Sequence, residues 1–356
     1  MTKMLFLADL HAHNYEQFHT RLPNGRNSRL QDCLNILAQA KEVAIEHSIS
    51  QIWILGDLFH ARTKLDVDVF TSTWLAVRDL ADSRYVHILR GNHDSYSKIG
   101  EVHSLEAFKE IPNCTVIDKP VMMRDGCHLF AYPYSPDSGQ YVKQWNDPAF
   151  EANNCKFDLL LMHQSIREAA IGPYAMTGHG ELSVNDLPLN RCRYVFAGDY
   201  HKRQWFGPGN RVHYVGSPLQ LNFGERNETK AFTMIDTKTW EVTEIPTKAP
   251  KFHQFETPGE FNAALFAGTV RPDIDFVRIL TTNAHGSEAV DVKTAFDRVQ
   301  IVEQKADLSA LRRVGQEVVG NDMALLEAYV AQKAGTFDVD RLLSIGLEEL
   351  VGECVA

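Results

Sequence analysis

Five short apolar runs in this 356-residue chain each end on a carboxylate, an imidazole or a carboxamide, and that recurrence constrains the fold more than any other feature. Asp9-Leu-His11 follows Lys3–Leu7, Gly56-Asp57-Leu-Phe-His60 follows Gln51–Leu55, and Gly91-Asn92-His93-Asp94 follows Tyr85–Leu89. His163 closes the run Asp158–Met162, and Gly198-Asp199-Tyr-His201 closes Arg193–Ala197. Runs this short with polar punctuation read as strands, as do His128–Tyr132 and Val212–Gly216. Between the first three the periodicity turns helical. Arg29–His47 puts Leu30, Cys33, Leu34, Leu37 and Ala40 on one stripe, and Asp66–Leu80 puts Val67, Phe70, Trp74 and Val77 on another. Strand, helix, strand, helix, strand predicts an α/β domain with much parallel pairing, whose functional loops leave the carboxyl ends of the strands.

Polar clusters gathered at one sheet edge offer Asp9, His11, Asp57, Asn92, His163, Asp199 and His201 as metal ligands. A single ion needs about three or four protein ligands, so the inventory suits two. Mixed nitrogen and oxygen donors fit divalent Mn, Fe or Zn better than Ca or a thiolate zinc site. Asp57 lies midway in the series and can bridge ions held about 3.5–4 Å apart. His93 is then free to hydrogen-bond a phosphate or protonate a leaving oxygen, with Asp94 orienting its ring. Any one of these residues alone could merely cap a turn; converging, they point to catalysis. His60 reads either as a packed loop histidine or as a group that positions substrate. Arg62, Lys64, Lys202 and Arg203 flank the ligand loops, as phosphate contacts or as solvated charges. His13 and His87 read as surface or core histidines.

Composition bounds the rest. Thirty-six Lys and Arg against 46 Asp and Glu give a net charge of -10, which excludes a wholly basic nucleic-acid coat but not a local basic groove. Six cysteines without a C-x-x-C spacing read as reduced thiols. The first apolar run is too short for a signal peptide and no run is long enough to span a bilayer, so a soluble cytoplasmic protein without membrane contact is expected. Pro246 and Pro250 mark a boundary. The expected organisation is a core at 1–245, a small α+β module at 250–305 and a helical, acidic tail at 306–356. The module reads as Phe252–Phe255, Pro258–Ala267, Asp275–Thr281, Ala289–Phe296 and Val299–Val302; the tail presents Val339, Leu342, Leu343, Leu347 and Leu350 on one face.

These motifs (D-x-H, G-D, G-N-H-D, a lone strand-end His and a terminal G-x-x-H) resemble those of the calcineurin-like metallophosphoesterases over residues 3 to about 220. Gly56-Asp-Leu-Phe-His60, with Gly216-Ser-Pro-Leu-Gln-Leu-Asn-Phe-Gly-Glu225 downstream, is similar to the SbcD-type nuclease subunits of DNA double-strand-break repair. The resemblance implies an αββα-sandwich core with a small α+β capping domain and a helical C-terminal tail. It implies two Mn2+ ions, with Mg2+ the alternative, and hydrolysis of DNA phosphodiesters by exonuclease or endonuclease action. Catalytic His93, Asp94 and His60 and an SbcC-like ATPase partner docking on 306–356 follow from it, with a homodimer left open. One departure stands out: the family usually ends its site with G-H-x-H, whereas here Gly198 is followed by Asp199. Asp199 is expected to reach a metal through oxygen; the alternative is a turn-capping Asp beside a weakened second site. A phosphoprotein phosphatase or other phosphodiesterase of the same superfamily, or a weakly active scaffold subunit, are the rival readings.

Overall fold

The computed structural model describes residues 2–97, 102–124, 126–145, 156–170, 181–281 and 296–303. The tail at 306–356 and all but the last residue of the helix expected at Ala289–Phe296 lie outside the described residues. One six-stranded sheet contains β1 (Lys3–Leu7), β2 (Gln51–Leu55), β3 (Tyr85–Leu89), β4 (Cys114–Ile117), β11 (Ala231–Asp236) and β12 (Glu241–Pro246), in the order β12-β11-β1-β2-β3-β4. The other contains β5 (Val121–Arg124), β6 (His128–Tyr132), β7 (Leu159–His163), β8 (Tyr194–Gly198), β9 (Gln204–Phe206) and β10 (Val212–Tyr214), in the order β5-β6-β7-β8-β10-β9.

Strand pleating explains the layers, because alternate side chains leave opposite faces. Met4, Phe6, Trp53, Leu55 and Leu89 face Leu129, Ala131, Leu159, Leu161 and Phe196 across the interface between the sheets, where the Phe6 and Phe196 rings meet edge to face at 5.0 Å. Leu5, Leu7, Ile52, Ile54, Val86 and Ile88 point outward under α1 (Ser28–Glu46) and α2 (Val67–Ala81). Phe130, Tyr132, Leu160, Met162 and Val195 pack under α3 (Gly139–Trp145) and the segment 182–192. The core is thus an αββα sandwich. His87 lies between the sheets, stacked on Trp53 at 4.2 Å, with neither ring nitrogen hydrogen-bonded among the described residues. Burial pushes its pKa down to about 4 and keeps it neutral.

The α1 stripe is buried as expected, but the α2 stripe is not: Val67 is 83% exposed, and the buried line runs through Val69, Ser72, Thr73, Val77 and Leu80. Short side chains let α2 approach the sheet and α1, leaving Phe70 and Trp74 at the margin. Strands β4, β5, β9 and β11 are additions to the sequence reading. Of these β11 matters most, because it pairs antiparallel with β1 in the middle of its sheet, and the buried run Ala231–Ile235 was the available signal. Pro246 still belongs to β12, opposite Ala231.

Beyond it, β13 (Phe252–Phe255), β14 (Phe276–Thr281) and β15 (Val299–Glu303) form a three-stranded parallel sheet with α4 (Pro258–Phe266), which Thr257 caps by accepting from the Glu260 N–H at 3.2 Å. Phe261, Val270, Val277, Ile279 and Val299 give this unit its own apolar cluster. A second cluster of Phe18, Phe223, Phe252 and Phe276 joins it to the sandwich, with the Arg29 guanidinium 5.3 and 5.0 Å from the centres of Phe252 and Phe276. Among the described residues no helix is long and apolar enough to cross a membrane.

Candidate metal centre

Parallel register brings the carboxyl ends together. Leu7 lies opposite Ile54, Leu55 opposite Leu89 and His163 opposite Gly198. Pairing continues past β1 and β2 into the loops: the N–H groups of Asp9, His11 and Ala12 donate to the carbonyls of Gly56, Asp57 and Leu58 at 3.1, 3.0 and 2.9 Å. Asp9, His11, Asp57 and Asp199 all take positive φ (52°, 49°, 52° and 102°), a backbone region costly for residues with a side chain and concentrated at functional sites. The glycines before the ligands are required sterically. A Cβ on Gly56 would lie 2.1 Å from His163 Nδ1, one on Gly91 2.1 Å from Asp57 Oδ1, and one on Gly198 2.2 Å from the Leu55 carbonyl.

Two nests result, both containing Asp9 and both faced by Asp57. In one, Asp9, His11 and His201 offer ligand atoms within 4.8 Å of one another; His11 Nε2 is 3.1 Å from His201 Nε2 and 3.6 Å from Asp57 Oδ2. In the other, Asp9, Asp57 and His163 do the same, and His163 Nε2 lies 3.4 Å from Asp57 Oδ1, 3.0 Å from Asn92 Oδ1 and 3.9 Å from Asp199 Oδ1. Asp57 therefore turns one oxygen to each nest. Asp199 contributes twice: its carboxylate approaches the second nest, and its N–H donates to the Asp9 carboxylate at 3.1 and 3.3 Å.

The imidazoles are oriented from behind. His163 Nδ1 donates to the Leu55 carbonyl at 2.8 Å and His201 Nδ1 to Glu225 Oε1 at 2.9 Å, which aims both Nε2 atoms into the nests. Glu225 is itself held by Lys230 Nζ at 2.7 Å, Ser217 Oγ at 3.3 Å and the Leu221 N–H at 3.2 Å. The sequence reading quoted Glu225 only as the last letter of a motif; that it sits behind His201 is a tertiary fact. Glu225→Gln, which keeps the size but weakens the hold on the His201 ring, should lower Mn2+ affinity by roughly 10–100-fold, measured by calorimetric titration.

Burial opposes charge on both rings, yet the facing carboxylates prevail. His163 is pushed up to about 10 by Asp57 and His201 to about 9 by Glu225. Burial holds His11 well below its ordinary value, so it stays neutral. Asp57 is depressed, because the imidazoles of His163 and His11 outweigh the cost of its burial. Burial raises Asp199 to about 7.

His93 stands beside this centre, its ring 4.9 Å from that of His11 and stacked 5.6 Å from that of His60. The expected partnership with Asp94 is corrected: His93 Nδ1 donates to the His60 carbonyl at 2.6 Å. The fully buried Asp94 carboxylate instead accepts the N–H groups of Asp57, Phe59 and Gly91 at 3.0, 3.2 and 2.9 Å, tying the loops after β2 and β3 together. Arg203 is likewise corrected from phosphate contact to internal tie. Its guanidinium donates to Thr233 Oγ1 at 2.7 Å and to the Ala231 carbonyl and lies 3.6 Å from Glu244. Lys202 and Arg62 are half-buried and Lys64 is exposed. His13, read as surface or core, packs 5.1 Å from His60, and Tyr15, absent from the sequence reading, donates to the His11 carbonyl at 2.9 Å. Both lie a few residues past the D-x-H motif, the signal that could have found them.

The donor set fits two divalent ions of intermediate hardness: Asp9, His11, Asp57 and His201 would hold one, and Asp57, Asn92, His163 and Asp199 the other. Residues 2–203 match the family model described as calcineurin-like phosphoesterase. The chain is similar to "Exonuclease subunit 1" of Enterobacteria phage T4, 23% identical over 232 residues, covering 62% of this chain and 63% of that protein. It thus spans under two thirds of that relative's length. Similar solved structures include an archaeal phosphodiesterase (14% identity, 69% of this chain and 99% of that one, TM-score 0.36) and a dimetal phosphatase from Danio rerio (12% identity, 69% and 96%, TM-score 0.42).

Proposed function

The chain belongs to the calcineurin-like phosphoesterase family, and from that membership we propose that it is a Mn2+-dependent DNA nuclease that cleaves backbone phosphodiesters in DNA end processing, recombination or repair. The observation that carries the hydrolytic reading is Asp57, one oxygen turned to each of two ligand nests. Likeness to a phage exonuclease subunit supports a nucleic acid as the substrate. Divalent ions bound there would supply Lewis acidity to the phosphoryl oxygens and to the attacking water. The chain's own groups do the rest. His93, fixed through Nδ1 by the His60 carbonyl, leaves Nε2 for the substrate, where the ring can serve as general acid to the leaving oxygen. Asp94 keeps the loops bearing Asp57 and His93 in register.

The same reading extends to an intracellular location and to an SbcC-like ATPase docking on residues 306–356, which lie outside the described residues. It is tested by incubating end-labelled linear duplex, hairpin and single-stranded circular DNA with Mn2+ or Mg2+, with and without the ATPase. Cleavage with Mn2+ supports it. Hydrolysis of p-nitrophenyl phosphate without cleavage of any DNA would replace it with a phosphatase reading.

Metal uptake should depend on pH. Ion-free His163 and His201, with pKa values of about 10 and 9, carry protons at neutral pH and must lose them to bind a metal. Mn2+ affinity is therefore expected to rise from pH 6 to 9, with up to about two protons released from these rings and a further fraction from Asp199, which burial raises to about 7. Calorimetry in buffers of different ionisation enthalpy reads that number, and zero release would show that the rings are neutral.

A further inference from the structure

His11 meets two demands at once. Its ring must aim Nε2 into the nest it forms with Asp9 and His201, and its backbone must stay at φ 49°. For a residue with a side chain that region costs about 1–3 kcal/mol and persists only where the surroundings enforce it. Both peptide groups flanking the strained residue are tied. The His11 N–H donates to the Asp57 carbonyl at 3.0 Å, and the His11 carbonyl accepts the Tyr15 hydroxyl at 2.9 Å. The first tie belongs to the pairing of the loops after β1 and β2. The second comes from a side chain that neither the ligand set nor the hydrolytic step employs.

Tyr15 is itself fixed through both backbone and ring. Its carbonyl accepts Asn27 Nδ2 at 2.9 Å, and Asn27 Oδ1 caps α1 by accepting the Arg29 and Leu30 N–H groups at 2.9 and 3.4 Å. Its ring lies under the Arg29 guanidinium, 4.1 Å from the ring centre. Arg29 is buried and donates to the Leu221 carbonyl at 2.7 Å. The hydroxyl therefore reaches His11 from the anchored start of α1. The same ring packs 5.5 Å from His60 and 5.2 Å from His13. The geometry points to Tyr15 as a positioning residue, whose hydroxyl holds the His11 peptide in the left-handed conformation that aims Nε2 at the ion of the Asp9–His11–His201 nest. Among the described residues Tyr15 hydrogen-bonds with no ligand of the other nest, so one of the two ions should feel the loss of the hydroxyl. This role rests on the two-ion reading of the centre and is independent of the substrate.

The test is Mn2+ titration of the full chain, read by calorimetry and by electron paramagnetic resonance, which distinguishes a lone Mn2+ from an exchange-coupled pair. Tyr15→Phe keeps the ring and its place under Arg29 and deletes only the hydroxyl. It should weaken one of the two binding steps about tenfold, the low end for groups that orient ligands from behind. The other step should hold, and the coupled-pair signal should appear only at correspondingly higher Mn2+. Tyr15→Leu removes the ring as well and so separates the hydroxyl from packing: Tyr15→Phe should lose nearly as much affinity as Tyr15→Leu. Native-like melting is checked for both; should Tyr15→Leu unfold, Tyr15→Phe decides. A parent that binds two ions beside a Tyr15→Phe protein with both affinities unaltered would overturn the role of Tyr15 alone. A parent that binds a single ion would overturn the two-ion reading along with it.

Discussion

Asp57→Asn is expected to lower phosphodiester hydrolysis on the order of 10³-fold while leaving the fold intact, because an isosteric carboxamide can offer oxygen to only one ion. The side chain faces both nests, 3.6 Å from His11 Nε2 through one oxygen and 3.4 Å from His163 Nε2 through the other. Losing a bridge forfeits several kcal/mol of transition-state stabilisation, and each ~1.4 kcal/mol is tenfold in rate. Asn is chosen because φ at this position is 52°, a region that Asn tolerates and Ala does not. The measurement is kcat on a labelled duplex with saturating Mn2+, beside metal stoichiometry. Retained activity with two ions bound would show that Asp57 does not bridge.

Phe252→Ala should be the most damaging of the apolar truncations at the junction, by about 3–5 kcal/mol of unfolding free energy. Phe252 is buried, its ring 4.8 Å from Phe223 and 4.6 Å from Phe276, under the Arg29 guanidinium. Its N–H donates to Gln220 Oε1 at 2.7 Å, so the backbone as well as the ring is anchored on the sandwich. Removing the ring empties a site lined by three other phenylalanines, which the surrounding sheets are too rigid to refill. Urea denaturation measures it. A loss below about 1 kcal/mol would mean that the cluster closes over the gap and does not fix the β13–β15 unit.

The strands that carry the ligands were legible because each is a short apolar run ended by a charged or polar residue, a pattern that survives any tertiary arrangement. The helix α1 was legible for the same reason, its stripe being buried throughout. The α2 face was misread because burial there is set by close approach to α1, so the small residues Ser72 and Thr73 go inside and Val67 stays out. Strand β11 was passed over although its apolar run was there to be read, and nothing local announces that this run returns antiparallel to the first strand after more than two hundred residues. Among the site residues, sequence adjacency misled twice. Asp94 follows His93 but turns back to three backbone N–H groups, and Arg203 sits two residues past His201 but points inward to Thr233.

By itself the sequence determined an α/β core, the polar residues that follow each strand and the presence of Asp199 where the family usually has histidine, because these depend on periodicity and on which side chain follows each strand; the αββα arrangement was implied by the family resemblance. Only the tertiary structure decided how those residues divide around Asp57 and which groups orient them from behind. Those are relations between residues such as His201 and Glu225, or Phe223 and Arg278, that hydrogen-bonding and stacking fix in space and that no spacing along the chain encodes.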